Sequence, residues 1–356
     1  MSFLLAFLGF ALLIILHELG HFFAAKAVGM RVERFSLFFP PLLGRVRRGE
    51  TEYAIGAIPL GGYVKITGMN PAEEIPPEHA HRAYYRQPVW KRIVVIAAGP
   101  LVNIVLAFGI LWVLVWSNGV NEPQASISRV SAPPALGNLA PGDKIVSVDG
   151  VSGDFERLRE QISSHKCAGD PVDGCEAAIP ARIVVSLRGE ERTVELRPVY
   201  DATQNDMFIG FEVPTKPRAV GPGEAAGLSV DQMWFFTSKT VETIAGIFEA
   251  DKRDDISGVV GSYEVTRQTI ELSTERAIYL LAIISLSLGV INLFPFLPLD
   301  GGHIFWALAE KVRGRAIPFG VMERAGFVGF ALVIMLFFVG VTNDIGRIAD
   351  GTSQIR

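Results

Sequence analysis

Apolar positions along the chain gather into four long blocks. Residues 3–16 form the first, and 22–28 continue it past a short polar interruption. Residues 93–116 form the second, with Asn103 its one strongly polar member. Residues 277–299 form the third, which 304–309 extends, and 325–341 form the fourth, which lengthens if it begins near Ile317. A membrane-spanning helix needs about 20 mainly apolar residues, roughly 17–25, so the pattern predicts four transmembrane helices. Between the second and third blocks the apolar runs shorten and Gly and Pro become frequent. Residues 125–130 and 144–148 read as strands, the latter closed by the turn pair Asp149-Gly150. Residues 154–163 fit a short helix with Phe155, Leu158 and Ile162 on one face. Residues 182–187 and 192–199 alternate about Gly189-Glu190 as a hairpin. Residues 219–276 read as amphipathic helix, with Met233, Trp234 and Phe235 as interfacial or packing anchors. In the loop after the first block, 52–58 and 62–66 read as short strands around Pro59-Leu60-Gly61.

Composition narrows the class. The chain has 356 residues, of which 49% are hydrophobic and 20% charged, and a mean hydropathy of +0.33. That argues against an ordinary soluble enzyme and excludes disorder, which needs low hydrophobicity and high net charge. A net charge of −4 leaves no nucleic-acid footprint. Two cysteines make no disulfide scaffold and no four-thiolate zinc site. Cys167 and Cys175 are read either as a short-loop disulfide or as two free thiols. The first block reads as a span rather than the alternative, a signal peptide: Lys26 is its first basic residue, it lacks a small-residue cleavage site, and it holds His and Glu.

Lys and Arg set the orientation. The loop 29–92 carries ten of them, and the loop after the third block adds Lys311, Arg313, Arg315 and Arg324. Both loops read as cytoplasmic. Residues 118–277 hold 25 acidic and 16 basic residues, a balance of −9, and read as extracytoplasmic, which puts both termini outside. The stretch 140–151 resembles a segment of a PDZ domain, a module that takes an extended peptide or a C-terminus by strand addition; the alternative is a β-rich spacer without a ligand.

The chemistry sits in the first block, as His17-Glu18-Leu19-Gly20-His21. On a helix, positions i and i+4 share a face, so both imidazoles reach one ion. Glu18 is then placed to take a proton from a metal-bound water, the H-E-x-x-H arrangement of zinc proteases. Charged groups inside a bilayer are expensive and usually functional. Zinc needs a third protein ligand beside a position open to water. A more distant third histidine on the same helix is excluded, because residue 27 is Ala. The other intramembrane carboxylate is Asp300, within the segment 292–303, where Pro295 and Pro298 break the helix and Gly301-Gly302 loosen it. Irregular backbone at membrane depth occurs where it lines a cavity or is buried in protein. His17 lies roughly 21 Å from the outer end of its helix and Asn292 roughly 22 Å along the third, at 1.5 Å per residue. The two levels match. The competing role for Asp300 is to cap the helix that follows it.

Residues 17–21, "GPLVN" at 99–103, one PDZ-like unit and "NLFPFLPLDG" at 292–301 together resemble the site-2 protease family of intramembrane zinc metalloproteases, closest to its bacterial RseP/RasP-type members but with one PDZ unit rather than two. The resemblance implies a polytopic α-helical membrane protein with four transmembrane helices, an inserted extracytoplasmic PDZ-like α/β domain and a membrane-associated β-hairpin. The parts are then 1–118, with the first two helices and the hairpin loop; 119–217, PDZ-like; 218–276, an amphipathic linker; and 277–356, with the last two helices. It implies Zn2+ held by His17, His21 and Asp300, with Glu18 as general base. The implied partners are the lipid bilayer, a single-span membrane protein as substrate, and a peptide or substrate ectodomain at the PDZ unit. The substrate is typically an anti-sigma factor already trimmed by another protease, with remnant signal peptides as a second class. The implied location is the bacterial cytoplasmic (inner) membrane. "GGYVK" at 61–65 matches the family's hairpin, so Gly61, Gly62 and Tyr63 would offer a strand edge to the substrate; the alternative is a plain surface loop. Asn292 is read as holding the unwound substrate or stabilising the oxyanion, or else as a helix cap. Asn103 is read as a hydrogen-bonding group beside the site or as glue between helices. His303 is read as a partner to a ligand or as a packed histidine. Two rival classes are a metal or ion transporter using His17, Glu18 and Asp300, and a catalytically inactive membrane PDZ scaffold.

Overall fold

The computed structural model describes residues 2–70, 73–202, 206–246 and 273–349. Among these, four helices are long and apolar enough to cross a membrane: α1 (Ser2–Ala27), α2 (Val89–Asn118), the helix Thr274–Asn292 and the helix Phe319–Ala349. α2 spans roughly 45 Å and Thr274–Asn292 roughly 28 Å at 1.5 Å per residue, the latter close to one bilayer core. In chain order the remaining helices are α3 (Phe155–Ser163) and α4 (Pro222–Gly246), so Thr274–Asn292 is α5, Asp300–Arg313 is α6 and Phe319–Ala349 is α7. The third apolar block is thus helical only as far as Asn292, because Pro295 and Pro298 lack the N–H a helix needs. The fourth extends beyond 325–341 at both ends.

The chain forms two compact units, residues 1–115 with 221–356, and residues 116–220. In the first, β1 (Val32–Arg48) and β2 (Thr51–Ile66) are joined by the tight turn Gly49-Glu50. This differs from the short hairpin expected around residues 59–61. Each long strand bends, at Phe38 (φ 69°) and at Gly61 (φ 152°). The register sets Phe35 opposite Val64 on one side and Tyr53 on the other, and Tyr53 opposite Val46. Two strands therefore make a sheet of four segments in the order 62–66, 32–37, 52–56, 44–48. A cluster of Phe22, Ala25, Met30, Val32, Ile66, Tyr84, Val95 and Ile96 fastens the sheet to α1 and α2. Charge fastens it again: Glu50 at the turn binds Arg82 (2.6 and 2.9 Å) and Lys26. The Arg82 hydrogen bonds, joined by Lys26, pull the Glu50 carboxyl down to about 2.

The second unit has a three-stranded antiparallel sheet of β5 (Lys144–Val148), β6 (Ala181–Leu187) and β7 (Glu190–Leu196). Its core joins Ile145, Val148, Ile183, Val185 and Leu196 to Leu158 and Ile162 of α3. Asp154 caps α3 by accepting from the Arg157 N–H. The β6–β7 loop is Arg188-Gly189, both at positive φ, one residue earlier than the alternation suggests. The strand expected at 125–130 is instead β3 (Val120–Pro123) and β4 (Arg129–Val130). Between them a single bridge, Ser126 to Lys144, forms, because the partner chain is still turning at residues 141–142. Two-stranded ladders pair β3 with β11 (Thr215–Arg218), β4 with β10 (Phe211–Glu212) and β8 (Val199–Asp201) with β9 (Asp206–Phe208). Cys167 and Cys175 are joined as a disulfide. Of the helical stretch expected at 219–276, residues 222–246 form α4, on which Trp234 and Phe235 are exposed; residues 247–272 lie outside the described residues.

Candidate metal centre

α1 carries His17 and His21 one turn apart, both 7% exposed. Their Nε2 atoms stand 3.3 Å from each other. Asp300, the first residue of α6, brings Oδ2 to 3.2 Å from each Nε2. Two donors at zinc–nitrogen distance from a tetrahedral ion lie about 3.3–3.4 Å apart, so the triangle has the edge a single zinc needs. Asp300 Oδ2 is sealed from solvent and has no hydrogen-bond partner among the described residues. A carboxylate oxygen in that position is costly unless a cation meets it. The donor set suits zinc: two imidazoles and a carboxylate leave one position open. Among the described residues, this is the one group of three metal-ligating side chains that converge.

Each donor is held from behind. His21 Nδ1 donates to the Val95 carbonyl on α2 at 2.8 Å, which leaves Nε2 its lone pair. Gly99 lies one turn further along α2, and a Cβ there would collide with the His21 ring. Asn103 lies four residues beyond Gly99, fully buried, with Nδ2 3.3 Å from His17 Nδ1. Asp300 depends on the loop before it. Cβ atoms on Gly301 or Gly302 would run into the backbone of residues 293–294 or 296–297, so only glycines let residues 293–297 fold under the start of α6. The α6 N-cap is Leu299, with no side-chain capping bond; the Asp300 carboxylate faces the histidines instead of capping. Lower on α6, Glu310 takes both terminal nitrogens of Arg92 on α2 at 2.9 Å, tying the helix in place.

A cavity of about 560 Å³ opens onto this triangle. His17, Glu18, His21, Asn292 and Asp300 line it, and so do Gly61, Gly62, Tyr63 and Val64 of β2. A Cβ on Gly62 would lie 3.0 Å from Glu18 Cγ. The strand therefore passes directly against the carboxylate. Tyr63 is fixed by Arg34, which donates to its hydroxyl at 3.1 Å, and by stacking on Phe39. Asn103 is not part of the cavity wall; it stands behind His17. His303 faces a separate crevice with Leu297, Pro298, Glu323, Gly326, Phe327 and Phe330. Gly99 and the Arg92–Glu310 pair had no assigned part in the sequence reading. Gly99 stood inside the quoted "GPLVN", but only the packing of α1 on α2 reveals its part.

Residues 5–336 match the model of Peptidase family M50. The chain belongs to that family, the site-2 proteases. Among its relatives, zinc metalloprotease Rip1 of Mycolicibacterium smegmatis is 33% identical over 91% of this chain and 89% of its own. Proteins of Nostoc sp. and Rhizobium meliloti, each provisionally named a zinc metalloprotease, are 31% and 28% identical; both alignments cover 94% of this chain and 93% of theirs. This M50 member is thus a zinc metalloendopeptidase and a multi-pass membrane protein, working in a lipid bilayer on membrane proteins. Membership favours the enzyme over the transporter and the inactive scaffold.

Proposed function

We propose that this M50 peptidase cuts single-span membrane proteins within or beside their membrane segment, with His17, His21 and Asp300 holding the zinc and Glu18 as general base. The observation that carries the reading is the buried triangle of donors at 3.2–3.3 Å, at the end of a cavity whose wall holds Glu18. Bound zinc supplies Lewis-acid polarisation of the scissile carbonyl and acidifies a water. Glu18 takes the proton of the attacking water and delivers it to the leaving amine. A membrane helix bonds all its backbone groups internally, so the substrate must first be drawn out. The β2 edge at Gly61, Gly62 and Tyr63 pairs with an extended substrate in strand fashion, and Asn292, across the cavity, holds the opened chain or the oxyanion.

In this reading the basic loops face the cytoplasm, and both termini and residues 119–217 face outward across a bacterial cytoplasmic membrane. Residues 119–217 act as a PDZ-like tether or size filter that admits substrates whose outer domain is already removed, with trimmed anti-sigma factors and remnant signal peptides as the expected classes. Residues 218–276 link that unit to the last two spans. The test uses protein in liposomes with a single-span reporter bearing a short outer segment. Glu18→Gln is expected to lower the cleavage rate about 10²–10⁴-fold while one zinc per chain remains. A Glu18→Gln protein that cleaves within a few-fold of the parent refutes the assignment.

A further inference from the structure

The side chain of Asn103 is completely buried on α2, away from the cavity. Its backbone carbonyl accepts from Ser285 Oγ of α5 at 2.9 Å, which fixes the residue between helices. Its Nδ2 faces His17 Nδ1 at 3.3 Å, while its Oδ1 has no partner among the described residues. In that orientation the amide donates to Nδ1, which assigns the imidazole proton to Nε2. A metal cannot bind a nitrogen that carries a proton. His21 is arranged in the opposite sense: Val95 O accepts from its Nδ1–H, and its Nε2 lone pair is free.

An amide turned by half a rotation keeps its shape and exchanges oxygen for nitrogen. Turned so, Oδ1 would meet His17 Nδ1 and accept a proton there, and the orphaned oxygen would gain its bond. We propose that Asn103 is a positioning residue for the metal: its carboxamide oxygen accepts from His17 Nδ1–H and so holds His17 in the tautomer whose Nε2 binds zinc. The amide serves both states, as donor to Nδ1 without the ion and as acceptor with it. Asn103 contacts neither substrate nor the reacting atoms. The proposal rests on His17 being a zinc ligand.

The test measures zinc affinity of full-length protein in detergent by competition with a chelating dye, for the parent, Asn103→Leu, Asn103→Asp and His17→Ala. Loss of such a hydrogen bond to a ligand weakens metal affinity about 10–100-fold, which is the expectation for Asn103→Leu. Asn103→Asp keeps an acceptor and loses the donor, so it is expected to bind zinc at least as tightly as the parent. A purely structural role would weaken both. Parental affinity in Asn103→Leu, or equal losses in the Leu and Asp variants, overturns the proposal. Undiminished affinity in His17→Ala instead overturns the ligand set beneath it. Should the leucine variant not fold, nitrogen NMR of histidine-labelled parent protein reads the tautomer directly, His17 being assigned by its absence from His17→Ala. Zinc-loaded protein must carry the His17 proton on Nδ1; a proton on Nε2 refutes the proposal.

Discussion

Gly99→Ala is the sharpest test of how the centre is built. The added Cβ would run into His21 Nε2 and would stand 2.6 Å from Cε1 and 2.8 Å from Cδ2, where ordinary contact begins at 3.4 Å. The ring would have to retreat by more than about 0.8 Å, the difference between 3.4 and 2.6 Å for Cε1, because Nε2 lies closer still. Metal–ligand distances tolerate roughly ±0.2 Å, so a retreat of that size takes Nε2 out of reach, and it also stretches the Nδ1 bond to Val95. Overpacking alone costs about 1–3 kcal/mol. If the ring gives way first, that strain appears as lost zinc rather than a lost fold. We expect zinc to bind about 100-fold more weakly, near 2.7 kcal/mol, with unchanged helix content. The assay is zinc retained against a graded chelator series, with Gly109→Ala as the control; a Cβ at Gly109 on the same helix meets nothing within 4 Å. Parental zinc affinity in Gly99→Ala would mean that α2 yields instead of His21, and would refute the reasoning.

Arg92→Met leaves Glu310 without its cation at a largely buried contact. Removing one partner of a buried pair costs about 3–5 kcal/mol, and because Glu310 keeps some exposure the lower end is expected, read as a fall in thermal midpoint with weaker zinc retention. Exchanging the two, Arg92→Glu with Glu310→Arg, should recover part of the loss; no loss in the single variant would mean that α6 is held elsewhere. The pH dependence concerns the sheet. The Glu50 carboxyl is held at about 2 against an ordinary 4.5, so its stabilisation is full above pH 4.5 and fades as pH falls toward 2. Protection of the β1–β2 turn amides, taken as the exchange rate relative to the intrinsic rate at each pH, should therefore fall between pH 4.5 and 3, and Glu50→Gln should flatten that change.

The sequence carries the parts of this protein that follow from local pattern. His17 and His21 are four apart on a helix, so their convergence is a matter of helical geometry, and Asp300 could be matched to them as the other intramembrane carboxylate, in a broken segment at a similar depth. The four spans are visible as runs of apolar residues. The β1–β2 sheet is not, because residues 32–48 contain Pro40-Pro41 and basic residues that read as loop; its pairing is long-range and doubly folded. Residues 125–130 alternate like a strand, yet their partner is still in a turn. The parts played by Gly99 and Asn103 depend on which face α2 presents to α1, and four nearly featureless apolar helices do not encode that face in any local period.

The triangle also works as a joint. Its donors come from α1 and from the start of α6, segments at opposite ends of the chain brought together in one unit. An ion shared between them is a cross-link as well as a reagent. Any ligand bound by the assembled form alone adds RT ln(1 + [L]/Kd) to its stability, about 2.7 kcal/mol at a hundred times Kd. With zinc held as proposed, the grip of α6 on α1 would rise and fall with free zinc. A cell starved of the metal would lose the tautness of this bundle along with its activity, and the loosened chain would become prey for other proteases.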